Sequence, residues 1–131
     1  VFSDAAARKE LEAIVHPEVR RLAAEAMAKQ SSDAIVIYTV PLLVEANVDH
    51  PFDHVITVEA PEEERISRLV KTRGMSLEDA RARVMAQASS VSRANRADTI
   101  LNSNQPLADL LSDVDRLWLS ISERAKEKLG R

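Results

Sequence analysis

Three arginines stand first among the side chains in this chain that are suited to binding or chemistry. Arg68, Arg73 and Arg83 precede Gln87 in one stretch, and each guanidinium carries a planar fork of donors that suits phosphate oxygens. Arg83 and Gln87 stand four apart, so on one helix face they would aim at a common target. Arg68 falls on the preceding helix and Arg73 in the turn at Arg73-Gly74. A flap of this kind closing over a phosphate chain fits phosphoryl transfer, which depends mainly on positioning and charge neutralisation. A carboxylate, Glu45, closes the stretch VPLLVE (40–45), and Asn102-Ser103-Asn104 follows a later apolar run, where a purine base could rest. His16-Pro17 completes the set.

Each feature also has a plainer reading. A basic block can be a solvated helical face, VPLLVE a strand end with a core plug, and Asn-Ser-Asn an ordinary turn. A histidine before a proline can be a helix cap. No second histidine lies at metal-ligand spacing, since His50 and His54 fall in a loop and at a strand start, so no metal site is expected.

The elements that would hold these residues follow from periodicity. Asp4 can cap a first helix with Leu11, Ile14 and Val15 on its buried stripe. Pro17 is expected to end that helix and open a second over 17–30, bearing Val19, Leu22, Ala23 and Ala26. Residues 34–40 form a continuous apolar run, expected as a strand covered on both faces. HVITVEA (54–60) and DTIL (98–101) read as two more strands. Pro61 opens a helix with Ile66, Leu69 and Val70 inward. Ser76 and Asp79 form a capping pair for another over about 77–88. Pro106 opens the last helix, whose core stripe would be Leu107, Leu110, Leu111, Val114, Leu117, Trp118 and Ile121. Alternating strands and helices imply an α/β fold with a parallel sheet, which binds ligands beyond the carboxyl ends of its strands.

Composition narrows the class. The 131 residues suffice for one domain and contain no cysteine, which points to a reducing, cytoplasmic setting without disulfides. The longest apolar run, 34–44, is interrupted by Pro41 and is shorter than the roughly 20 residues of a membrane span. The first residues do not form a signal peptide and no methionine leads, so the chain is expected to be a fragment or a processed form. The net charge of −3 argues against a general nucleic-acid binder. The charge is uneven, however: residues 65–96 hold eight basic and two acidic side chains, the remainder 10 and 19.

Taken in order, VFSDxxARxxLExIVHPxVR (1–20), VPLLVE (40–45), FDHVITVEAPEEERxxRL (52–69), RGMSLEDARARVMAQAS (73–89) and ADTILNSN (97–104) resemble the C-terminal two-thirds of bacterial dephospho-CoA kinase. The resemblance runs from Val1 to about Val114. It implies a partial P-loop kinase fold, a parallel sheet with flanking helices lacking its first two strands. It further implies transfer of the ATP γ-phosphate to the ribose 3′-hydroxyl of dephospho-CoA, the last step of coenzyme A synthesis, with Mg²⁺. On that resemblance, residues 1–30 belong to the acceptor-binding helical part, 34–60 and 97–131 to the core, and 61–96 to the lid. His16, Pro17, Pro41, Leu42, Leu43 and Glu45 would serve the acceptor. Arg68, Arg73, Arg83 and Gln87 would serve the ATP phosphates, and Asn102 the adenine.

The family's phosphate loop, G-x-x-x-x-G-K-[ST], does not occur in these residues, whose only glycines are Gly74 and Gly130. Its catalytic acid would also precede Val1, so the catalytic residues stay unassigned and a missing N-terminal segment is the expected partner. Thr39 and Arg96 depart mildly from the pattern, and Thr39 could weaken acceptor or Mg²⁺ contacts. The chain alone is expected to be inactive. A non-catalytic binder of CoA-like anions is the alternative, and the HP…PLLVE…RGMS order speaks against another nucleotide kinase.

Overall fold

Helix-favouring alanine, glutamate, arginine and leucine dominate the first 30 residues, and they form one helix, α1 (Ala5–Ala28). The computed structural model describes residues 5–41, 43, 44 and 50–130; the expected Asp4 cap lies outside them. Pro17 sits inside α1 and does not divide it, contrary to the expected break. Proline brings no N–H, so one helical bond is forfeited there, and the favourable residues on both sides carry the helix through. The apolar stripe of α1 is not buried either: Leu11, Ile14, Val15, Val19 and Leu22 are all exposed.

Residues 34–40, expected as a core strand, form no strand. A strand exists only where a partner completes its ladder, and among the described residues the sheet contains two other segments. Ile37 is left 76% exposed. Contacts divide the chain into two units, residues 1–38 with 125–131, and 39–124.

The second unit holds the sheet. Strand β1 (Ile56–Glu59) pairs in parallel with β2 (Thr99–Asn102), Ile56 opposite Thr99 and Glu59 opposite Asn102. Both were expected from the sequence. Parallel neighbours need a crossover, supplied by α2 (Glu62–Arg73), α3 (Leu77–Met85) and α4 (Ser90–Arg96). At the start of the strands the Asp98 carboxylate accepts from the Val55 amide at 2.7 Å, and the Asp98 amide donates to the Val55 carbonyl at 2.8 Å.

Gly74 ends α2 in the left-handed region (φ 63°), its amide donating to the Val70 carbonyl at 3.1 Å. The Ser76 hydroxyl then caps α3 by accepting from the Asp79 amide at 3.0 Å, as its sequence signature implied. The two helices pack through Ile66, Ala80 and Val84, with Leu69, Val70 and Met75 around them. α3 ends at Met85 rather than near 88, because Ser89 starts a separate helix by accepting from the Ser92 amide at 3.1 Å. α4 was not expected.

The last helix, α5 (Leu107–Lys128), begins after Pro106 as expected. Its apolar stripe does not become core: Leu107, Leu111 and Val114 are exposed, and Trp118 is 47% exposed. A helix of this length spans about 33 Å, whereas strands of four residues span only about 13 Å, too short a face to cover it.

Candidate functional site

Beyond the carboxyl ends of β1 and β2 lies an open groove of about 640 Å³, within the size range of small-molecule sites. This is where a parallel sheet collects ligands, because strand ends, helix starts and connecting turns converge there. Glu59 and Asn102, register partners at the two strand ends, form its base. Arg65 from α2 and Gln87 and Ser89 from the α3–α4 turn form its walls. Among the described residues that line it, Arg65 is the one cation, and its guanidinium donates to the Gln87 side-chain carbonyl.

Glu59 is fixed by a partner from across the crossover. The Arg93 guanidinium donates to both carboxylate oxygens, Nε to Oε1 at 2.7 Å and Nη2 to Oε2 at 2.6 Å, and each side chain is only 16% exposed. Its third nitrogen donates to the Ala88 carbonyl. The hydrogen bonds from Arg93 hold the Glu59 carboxyl below its ordinary range, against the upward push of burial, with the charges of Arg93 and Arg65 adding to the effect.

The turn after β2 is equally tied down. The Ser103 amide and hydroxyl both donate to the Glu59 carbonyl, at 2.7 and 3.1 Å. Arg68 donates to the Ser103 hydroxyl at 3.0 Å and to its carbonyl at 2.7 Å, and also to Glu64 at 2.9 Å. The Asn102 side chain accepts from the Asn104 amide at 2.9 Å, closing an Asx turn.

Of the residues singled out from the sequence, Gln87 and Asn102 line the groove. Arg68 is turned toward Ser103, while Arg73 and Arg83 are exposed and outside the lining. Arg83 and Gln87 do not share a helix face, since α3 ends before Gln87 and Gln87 is bonded to Arg65. Pro41 and Leu43 belong to turns outside the lining, and Leu42 and Glu45 lie outside the described residues. His16 and Pro17 are on α1, in the first unit. Arg65, Ser89 and the Glu59–Arg93 pair were not foreseen as site residues, although Arg65 and Arg93 belong to the basic block.

Residues 1–109 match the family model described as dephospho-CoA kinase, CoaE. The chain belongs to the dephospho-CoA kinase family. Among curated dephospho-CoA kinases it is 39% identical over 119 residues to that of Corynebacterium jeikeium, covering 89% of this chain and 61% of that protein. To that of Frankia casuarinae it is 38% identical over 128 residues, covering 98% and 56%. The chain thus spans about three-fifths of these relatives. The crystal structure of TT1252 from Thermus thermophilus superposes with a TM-score of 0.76 at 35% identity, over 92% of this chain and 62% of that one. The α/β architecture with its parallel strand pair and flanking helices is that of a kinase of the P-loop type.

Proposed function

We propose that these residues form the acceptor-binding and lid portion of an enzyme that transfers the γ-phosphate of ATP to the ribose 3′-hydroxyl of dephospho-CoA. The observation that carries this is the groove beyond the paired strand ends, found in a chain matched to the family over residues 1–109. Arg65, Gln87, Ser89 and Asn102 give that groove one cation and several neutral polar groups, a set suited to a nucleotide. Arg73 and Arg83 remain exposed cations available to neutralise phosphate oxygens, the main need of phosphoryl transfer. His16 and Pro17, with Pro41, Leu42, Leu43 and Glu45, are assigned to dephospho-CoA.

The ATP-holding sequence G-x-x-x-x-G-K-[ST] is absent from the 131 residues, so that share of the site must come from elsewhere. Mg²⁺ accompanies ATP in such reactions. Among the described residues no cluster of three acids or histidines could hold it, and the one acid at the groove base is committed to Arg93.

The test is phosphorylation of dephospho-CoA by ATP, followed by coenzyme A formation. The purified 131-residue chain should give none, and a longer chain joining a G-x-x-x-x-G-K-[ST] strand–loop–helix to Val1 should give coenzyme A. Turnover by the 131 residues alone would overturn the division of labour. A longer chain that binds ATP without turnover would favour the second reading, a non-catalytic binder of CoA-like anions.

A further inference from the structure

We infer that Arg93 is a positioning residue that masks Glu59 so that the groove can admit an anionic ligand. Arg93 does not line the groove, yet it governs the charge of the groove wall. Among the described residues the lining carries two carboxylates, Glu59 and Glu62, against the single guanidinium of Arg65. Left alone, that balance is negative and would repel a phosphate chain. Arg93 engages both oxygens of Glu59 and brings the balance to neutral, leaving Arg65, whose hydrogen bond is to the uncharged amide of Gln87, as an attractive charge.

The geometry distinguishes this pair from the other arginine–carboxylate pairs among the described residues. Arg21–Glu18, Arg21–Glu25, Arg68–Glu64 and Arg116–Asp113 all join residues three or four apart on one helix. Glu59–Arg93 instead spans 34 positions and joins the end of β1 to α4. Its third donor holds the Ala88 carbonyl, fixing the turn that presents Gln87 and Ser89. A bidentate, half-enclosed pair of this kind is costly to break from one side, because a lone charge remains in a poorly solvated place.

This rests on the nucleotide reading of the groove, and the experiment separates the two. Binding of ATP and of adenosine to the longer chain that joins a G-x-x-x-x-G-K-[ST] strand–loop–helix to Val1 is measured by calorimetry for wild type, Arg93→Met, Glu59→Gln/Arg93→Met and Arg93→Lys, with melting curves to verify folding. Arg93→Met should weaken ATP roughly tenfold, the scale of one uncompensated like charge at a ligand site, while adenosine changes less than about twofold. The double variant should restore ATP affinity, since no bare carboxylate remains, and Arg93→Lys should keep the ratio of ATP to adenosine affinity. Equal losses for ATP and adenosine, or no recovery in the double variant, would overturn the masking role while leaving the groove a nucleotide site. Should Arg93→Met fail to fold, a changed ratio in Arg93→Lys or in the double variant would overturn it. A wild-type chain that binds neither ligand would overturn the nucleotide reading and the masking role together.

Discussion

Replacing Arg68 by alanine tests whether this arginine is a structural tether or a ligand-binding cation. Its guanidinium makes two hydrogen bonds to Ser103, at 3.0 and 2.7 Å, and one to Glu64 at 2.9 Å. Net contributions of about 1 kcal/mol per hydrogen bond apply to the Ser103 pair, and a few tenths to the helical ion pair. The Arg68 side chain is 43% exposed, so solvent reduces the sum to about 1.5 kcal/mol. For a chain of this size that corresponds to a fall in melting temperature of about 6 °C. Thermal unfolding followed by circular dichroism reads it directly. Arg68→Lys should recover only a minor part, because one ammonium cannot reach a hydroxyl and a carbonyl with the geometry of a planar fork. A melting temperature unchanged in Arg68→Ala would refute the tether, and would leave the guanidinium available to a ligand.

Two other perturbations address the helix and the pH dependence. Pro17→Ala should restore the missing helical hydrogen bond in α1 and raise helix stability by about 2–3 kcal/mol, read as a higher melting temperature; a lower one would mean that the proline is required where it stands. Because Arg93 depresses the folded-state pKa of Glu59, the contribution of that carboxylate is complete above the ordinary range near 4.3 and is lost as pH falls through the depressed value. Glu59→Gln should therefore be less stable than wild type at pH 7, and the gap in urea unfolding should narrow as pH falls below about 4. A constant gap from pH 7 to 3 would contradict the ion-pair assignment.

Features set by near neighbours were readable from the residues themselves. The Ser76–Asp79 cap, the glycine exit of α2 and the proline starts of α2 and α5 need only a few adjacent positions, and they stand as expected. Strands at Ile56–Glu59 and Thr99–Asn102 were legible because each apolar run found the other. The run at 34–40 has equal β character, but a ladder is a property of two segments, and among the described residues none pairs with it. Periodicity located the stripe of α5 without showing whether anything would cover it. α4 has no apolar stripe and seven residues, too little pattern to recognise. In the groove, the strand-end rule led to Asn102 and its neighbourhood, and the i, i+4 argument for Arg83 and Gln87 failed because Ser89 starts a new helix first. The Glu59–Arg93 pair joins positions too distant in sequence for any local rule.

The core formed by Ile66, Ala80 and Val84 lies between α2 and α3, inside the segment that the family resemblance assigns to the lid. Loops that close over ligands are usually drawn from the least stable parts of a protein and order themselves on closure. A helical hairpin with its own apolar interior meets a different constraint. Melting it would expose those side chains, so displacement as a rigid lever costs less than unfolding. Amide hydrogens in α2 and α3 should then exchange slowly whether or not ligand is bound, and the hinge strain of any excursion would fall on the short connections at Ala60-Pro61 and Ala86–Ser89.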